Sequence, residues 1–114
     1  MLILRDNEGR VLLERRPPAG IWGGLWSLPE GEKLAAIEAR LGVTAAQATA
    51  LPLVEHRLSH VCLTIQPLLA DVSQAQQVKC LATHGWFDRD QLPRLGLPKP
   101  VRELLNRLYD GEFN

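Results

Sequence analysis

The chain reads as a single α+β domain, a mixed β-sheet sandwiched by helices. Three observations predict this. Short apolar segments with strand-like alternation dominate the first and middle parts of the chain. Two other segments repeat apolar residues at intervals of three and four, as helices do. The length of 114 residues supports one hydrophobic core and not two. Because the two helical segments are far apart in sequence, they are expected on opposite faces of the sheet.

The elements follow in order. Met1 to Arg5 and Val11 to Arg15 flank Asp6-Asn7-Glu8-Gly9, a turn-forming run, and read as a β-hairpin. Pro17 and Pro18 end the second strand, since proline supplies no ladder donor. From Ile21 to Pro29, Gly23-Gly24 then permits a sharply folded loop leading into a short strand. Leu34, Ile37 and Leu41 mark one face of a helix that Gly42 can stop. Thr44 to Ala50 reads as a turn or a short helical piece. Leu53 to Leu58 and Val61 to Ala70 read as two antiparallel strands joined at Ser59-His60, with Pro67 marking an edge or a bulge. Asp71 to Thr83 is a polar connection, and Gly85 to Asp88 supplies another strand. The last helix starts near Pro98 or Lys99 and carries the stripe Val101, Leu104, Leu105 and Leu108. The domain is expected over residues 1–110, with 111–114 as a tail.

Composition narrows the functional classes. Hydrophobic residues make up 46% and charged residues 23%, which excludes a disordered chain. Thirteen basic and thirteen acidic side chains cancel, so composition provides no broad positive field of the kind an autonomous nucleic-acid binder needs. The longest uncharged stretches, Pro17 to Pro29 and Leu41 to Val54, are too short and too interrupted to span a membrane. No membrane partner is expected. Without a cationic leader and apolar run, a cytoplasmic location is expected, nucleoid-associated in a bacterium. Cys62 and Cys80 lack metal-ligand spacing and read as reduced thiols. His56, His60 and His84 add no ligand arrangement, so no metal site is expected.

Three runs carry a resemblance: LLERRPPAGIWGGLWSLP at Leu12 to Pro29, EHRLSHVCL at Glu55 to Leu63, and WFDRDQLPRLGLPKPVRELLNRL from Trp86 to Leu108. Together they resemble the C-terminal domain of the MutY adenine DNA glycosylases. The resemblance implies a Nudix-like fold, and a module that reads 8-oxoguanine opposite adenine without breaking a bond itself. It also implies a helical glycosylase domain elsewhere, absent from this chain, that would hold the catalytic groups and a 4Fe-4S cluster. No cofactor is then expected here, no catalytic residue is assigned, and the implied partner is double-stranded DNA containing 8-oxoguanine:adenine.

The same resemblance implies site residues. Leu58, Ser59 and His60 match the hairpin that meets the lesion. Oxidation turns the guanine N7 acceptor into an N7–H donor beside an O8 acceptor, and a serine hydroxyl can both donate and accept. Arg57, Arg16 and Arg15 are candidate backbone contacts, and His56 is expected to support the turn. Trp22 and Trp26 read as core packing more readily than as a base-stacking platform.

Two alternatives stay open. One is a Nudix pyrophosphohydrolase acting on nucleoside diphosphate derivatives. Its motif resembles Gly-x5-Glu-x7-Arg-Glu-x-x-Glu-Glu-x-Gly, whose carboxylates bind a divalent metal. With the last glycine on Gly42, Ala35-Ala36 replaces Arg-Glu and Ala39-Arg40 replaces the paired glutamates. Glu30, Glu32 and Glu38 are then the nearby carboxylates, and Arg40 cannot ligate a cation. The other alternative is an inert Nudix-like protein-interaction module.

Overall fold

The computed structural model describes residues 1–73 and 83–113. Strands β1 (Leu2–Arg5) and β2 (Val11–Arg15) are joined by the expected turn, where the Asp6 N–H donates to Arg10 O and the Gly9 N–H to Asp6 O. They diverge beyond the pair Arg5 and Val11. β1 instead runs parallel to β7 (Leu68–Asp71), with Leu2 opposite Leu68 and Arg5 opposite Asp71. β2 pairs antiparallel with β8 (His84–Phe87) along its first four residues, and with β3 (Trp26–Ser27) at its end. β4 (Thr49–Ala50) covers the other edge of β7. The main sheet thus runs β3-β2-β1-β7-β4, with β8 also on β2.

Alternation explains why this sheet is covered twice. Leu2, Leu4 and Leu12 point to one face, where helix α1 (Leu34–Leu41) contributes buried Ile37 and Leu41. Ile3, Val11 and Leu13 point to the other, against Val101, Leu104, Leu105 and Leu108 of helix α2 (Lys99–Tyr109). All six strand residues are fully buried. A strand buried on both sides must be apolar at every position, which is the pattern of LIL and VLL. α1 ends as expected at Gly42, whose φ of 71° is the left-handed region that spares glycine the Cβ clash. Pro100 sits in the first turn of α2, where its missing N–H costs nothing.

Two elements differ from expectation. Val61 to Ala70 is not one strand. β5 (Val54–Leu58) and β6 (Val61–Ile65) form a separate two-stranded sheet, and β7 restarts after Pro67 in the main sheet. Proline interrupts the ladder, and Gln66 stabilises the crossing by donating from Nε2 to Leu51 O and Pro67 O. Thr44 to Ala50 contains no helix; it is a turn leading into β4. The polar connection from Asp71 to Thr83 lies mostly outside the described residues, as does Cys80, while Cys62 is exposed and unbridged. Beyond α2, Glu112 pairs with Arg107, and Phe113 packs on the core under the same guanidinium. Among the described residues no helix is long and apolar enough to cross a membrane.

Two polar contacts secure the β1–β2 turn. The Asp6 carboxylate is fully buried and accepts the Glu8 and Arg10 backbone N–H groups and the Arg10 Nε–H, at 2.8–2.9 Å. Burial pushes its pKa up, but these hydrogen bonds and the Arg10 charge outweigh burial and hold it below the ordinary value. From the far end of α2, the Tyr109 hydroxyl donates to Gly9 O at 2.6 Å.

A lowered carboxyl pKa means stability that is present above the unfolded value and lost as pH falls through the folded one. Acid denaturation of wild type should therefore include an Asp6 component that Asp6→Asn removes, and superimposable acid limbs would refute it. Burial pushes the Tyr109 phenol from 10.0 up to about 12. An ultraviolet titration of this one tyrosine should show that midpoint, with its contribution to stability lost as pH rises through it. Tyr109→Phe should destabilise by about 1 kcal/mol in urea melts; a midpoint near 10 in folded protein would contradict the burial.

Candidate functional site

Where the apolar run of β2 ends, the same alternation presents charged side chains. Glu14 follows Leu12 on the α1 face, and its cross-strand partner on β8 is His84, so the two side chains share that face. His84 Nε2 lies 3.0 Å from Glu14 Oε2, and Thr83 Oγ1 lies 3.0 Å from His84 Nδ1. From the last turn of α1, Arg40 donates from Nη1 to Glu14 Oε2 at 2.7 Å, and from Nη2 to Glu14 Oε1 at 3.2 Å and Glu30 O at 2.8 Å. The Glu30 N–H points at Glu14 Oε1, at 3.4 Å. Glu14 thereby ties together a strand, a helix and the segment that precedes the helix.

Arg16, two residues further on, pairs with the Glu30 carboxylate and donates from Nε to Ile21 O. Arg15 donates from Nε to Gly24 O at 3.3 Å. Between them the loop folds tightly back: the Gly24 N–H reaches both Arg16 O and Pro17 O. A Cβ on Gly23 would stand 2.1 Å from Pro18 O, so only glycine allows that approach. Trp22, with a φ of 57°, lies between the Arg16 guanidinium and the His56 ring.

These residues enclose a cleft of about 750 Å³ lined by Glu14, Arg15, Arg16, Arg40, His84 and the Pro17-Pro18 wall, with Gly24 and Thr83. Three guanidinium groups line the cleft with the Glu14 carboxylate, and Glu30 offsets Arg16 from beside it, so a positive charge is left over and an anionic ligand is the electrostatic complement.

The donor set does not fit a divalent metal. Among the described residues no three His, Cys, Asp or Glu side chains converge. Glu14 offers about four lone-pair sites, and Arg40, His84 and the Glu30 N–H already address them. A unit charge 4 Å from another interacts by about 4 kcal/mol near a protein surface, and a dication doubles that. Beside Arg40 the sign is repulsive. Glu30 is committed to Arg16, Glu38 accepts the Ala45 N–H at 2.8 Å, and Glu32 lines a different hollow.

The sequence-derived candidates fall into two groups. Arg57, Leu58, Ser59 and His60 line a hollow of about 220 Å³ at the tip of the β5–β6 hairpin, whereas Arg15 and Arg16 belong to the cleft. His56 sits within β5 and meets Trp22, so its contact is with the Gly-rich loop. Trp26 and Trp22 are both partly buried, and Trp26 packs edge-on against Phe87 at the side of the core. Glu14 was missed, and Arg40 and His84 were noted only as unsuitable metal ligands. The signal for Glu14 was available: it continues the Leu12 face beyond the apolar run.

A family model described as "NUDIX domain" matches residues 1–107. A Nudix hydrolase from M. smegmatis, RenU, superposes with a TM-score of 0.67 at 24% identity, covering 98% of this chain and 81% of that one. The C-terminal domain of mouse MUTYH, in complex with human PCNA, gives 0.75 at 20%, covering 97% and 85%. The NUDIX domain of Shewanella oneidensis NrtR, complexed with ADP-ribose, gives 0.74 at 19%, covering 96% and 83%.

Two expectations are corrected. The reading as a non-catalytic DNA-lesion module does not stand: a Nudix hydrolase and an ADP-ribose-bound NUDIX domain match as fully as the MUTYH domain. Double-stranded DNA as the partner does not stand either, since the matching MUTYH domain is bound to a protein, PCNA. Electrostatics gives the physical reason. DNA affinity draws on a broad positive field that releases counterions, yet thirteen basic and thirteen acidic side chains leave this chain with no net charge. With nearly the whole chain matched by the family model, and α1 and α2 enclosing the mixed sheet, this chain belongs to the NUDIX domain family.

Proposed function

We propose that the Arg15–Arg16–Arg40 cleft takes a nucleoside diphosphate derivative, the substrate class of a Nudix pyrophosphohydrolase. The single observation that carries this reading is the converging set of guanidinium groups at the end of β2 and of α1, in a cleft large enough for a nucleotide. Guanidinium forks match phosphate oxygens in shape as well as charge. Pro17 and Pro18 provide a rigid apolar wall for a ribose or base. The ADP-ribose complex of the NrtR NUDIX domain supports the same ligand class for this fold.

Phosphoanhydride hydrolysis adds water across a P–O–P link and gives two phosphate monoesters. Such chemistry rests on positioning and on stabilising charge at the phosphoryl oxygens. Arg15, Arg16 and Arg40 supply that charge here, and the Glu14–His84 pair is the carboxylate–imidazole unit beside it. Kinship with MutY C-terminal domains, supported by the Leu12 to Pro29 run and by the mouse domain's similarity, concerns ancestry and leaves this ligand class unchanged.

Calorimetric titration of the purified chain with ADP-ribose and with ADP should show saturable binding at one site per chain. Arg16→Ala should weaken it about tenfold, the scale of a lost charge-assisted hydrogen bond. Released AMP would establish the cleft as an active site. No saturable binding of any nucleoside diphosphate derivative would remove the reading.

A further inference from the structure

We infer that Arg40 is a built-in cation, so that the cleft binds its diphosphate ligand without a divalent metal. The inference rests on the proposed ligand class and goes beyond it in assigning the source of positive charge. In the motif alignment Arg40 stands where a metal-binding glutamate would. In the structure its guanidinium is clamped against the Glu14 carboxylate and the Glu30 carbonyl, so a fixed positive charge borders the cleft in place of a carboxylate.

The clamp leaves Arg40 capacity for a ligand. A guanidinium has five N–H donors. Among the described residues three are used, one from Nη1 and two from Nη2, and five minus three leaves Nε–H and one Nη1–H. The Arg40 side chain is 45% exposed where that of Glu14 is 14% exposed, so the salt bridge faces inward while part of the guanidinium remains open to the cleft. Glu14 acts as the positioning residue: bidentate contact fixes the plane of the guanidinium before the ligand arrives, which reduces the ordering cost of binding. Because Arg40 also holds Glu14, no carboxylate pair forms for a metal to bridge.

The test is ADP-ribose binding measured by calorimetry with EDTA and again with millimolar Mg²⁺. Wild type should bind with affinities within about twofold of each other, well below the tenfold step that a real coupling of 1.4 kcal/mol would produce. Arg40→Glu places a carboxylate beside Glu14; it should abolish binding in EDTA and recover it at least about tenfold with Mg²⁺. Arg40→Lys keeps the charge but not the fork, and should retain weakened, metal-independent binding while serving as the folding control. Wild-type binding strengthened tenfold or more by Mg²⁺ would overturn the built-in cation and leave the ligand class standing. Absence of wild-type binding in both buffers would overturn the two together.

Discussion

Two-sided burial of β1 and β2 is the constraint on which the rest of this domain depends. Six consecutive-face residues, Leu2 to Leu4 and Val11 to Leu13, lie wholly inside, so neither strand has a wet side. α1 and α2 must cover opposite faces, and the chain has to cross the sheet edge to place them there. The parallel pairing of β1 with β7 follows the same logic, since parallel ladders are found where both faces are shielded. A polar residue within these triplets would leave a desolvated group without a partner, which is why polar character begins abruptly at Glu14.

That abrupt boundary places the cleft. Glu14 is the first charged position after the buried triplet, and its alternation directs it toward α1. A carboxylate so poorly exposed needs partners, and it finds them on the neighbouring strand through His84 and on the helix through Arg40. The same contacts that satisfy Glu14 therefore bring a strand end, a helix end and the Pro-Gly loop to one place. The cleft is coupled to the fold at its most basic level, because the ion pair that orders it also ties α1 to β2.

Legibility in the sequence followed the range of the interactions. The turn at Asp6 to Gly9, α1 with its Gly42 stop and α2 with its apolar stripe are encoded by neighbours within a few residues, and each was readable. β4 is two exposed residues whose strand state comes from pairing with β7, and nothing local specifies that. The split of Val61 to Ala70 was marked by Pro67, yet only the pairing of Leu68 with Leu2 decides that β7 belongs to another sheet. The cleft was the least legible part. Arg40 and His84 are separated by 26 and 70 positions from the Glu14 carboxylate they share, so no local motif contains the three. The resemblance drew attention to Ser59 and His60 instead, which occupy a separate hollow.

Loss of acidic residues from α1 is therefore more than the removal of a metal site. Ala36 and Ala39 replace glutamates that the family motif commits to cation binding, and alanine suits a helix of only eight residues that has no side-chain cap. Arg40 goes further, because it reverses the sign of charge at the position nearest Glu14. A carboxylate there would repel Glu14 unless a cation intervened, so the reversal lets α1 dock through a direct ion pair. Helix docking and the proposed ligand's charge thus meet in one residue: the cation assigned to a diphosphate in the proposal also ties the helix to the sheet.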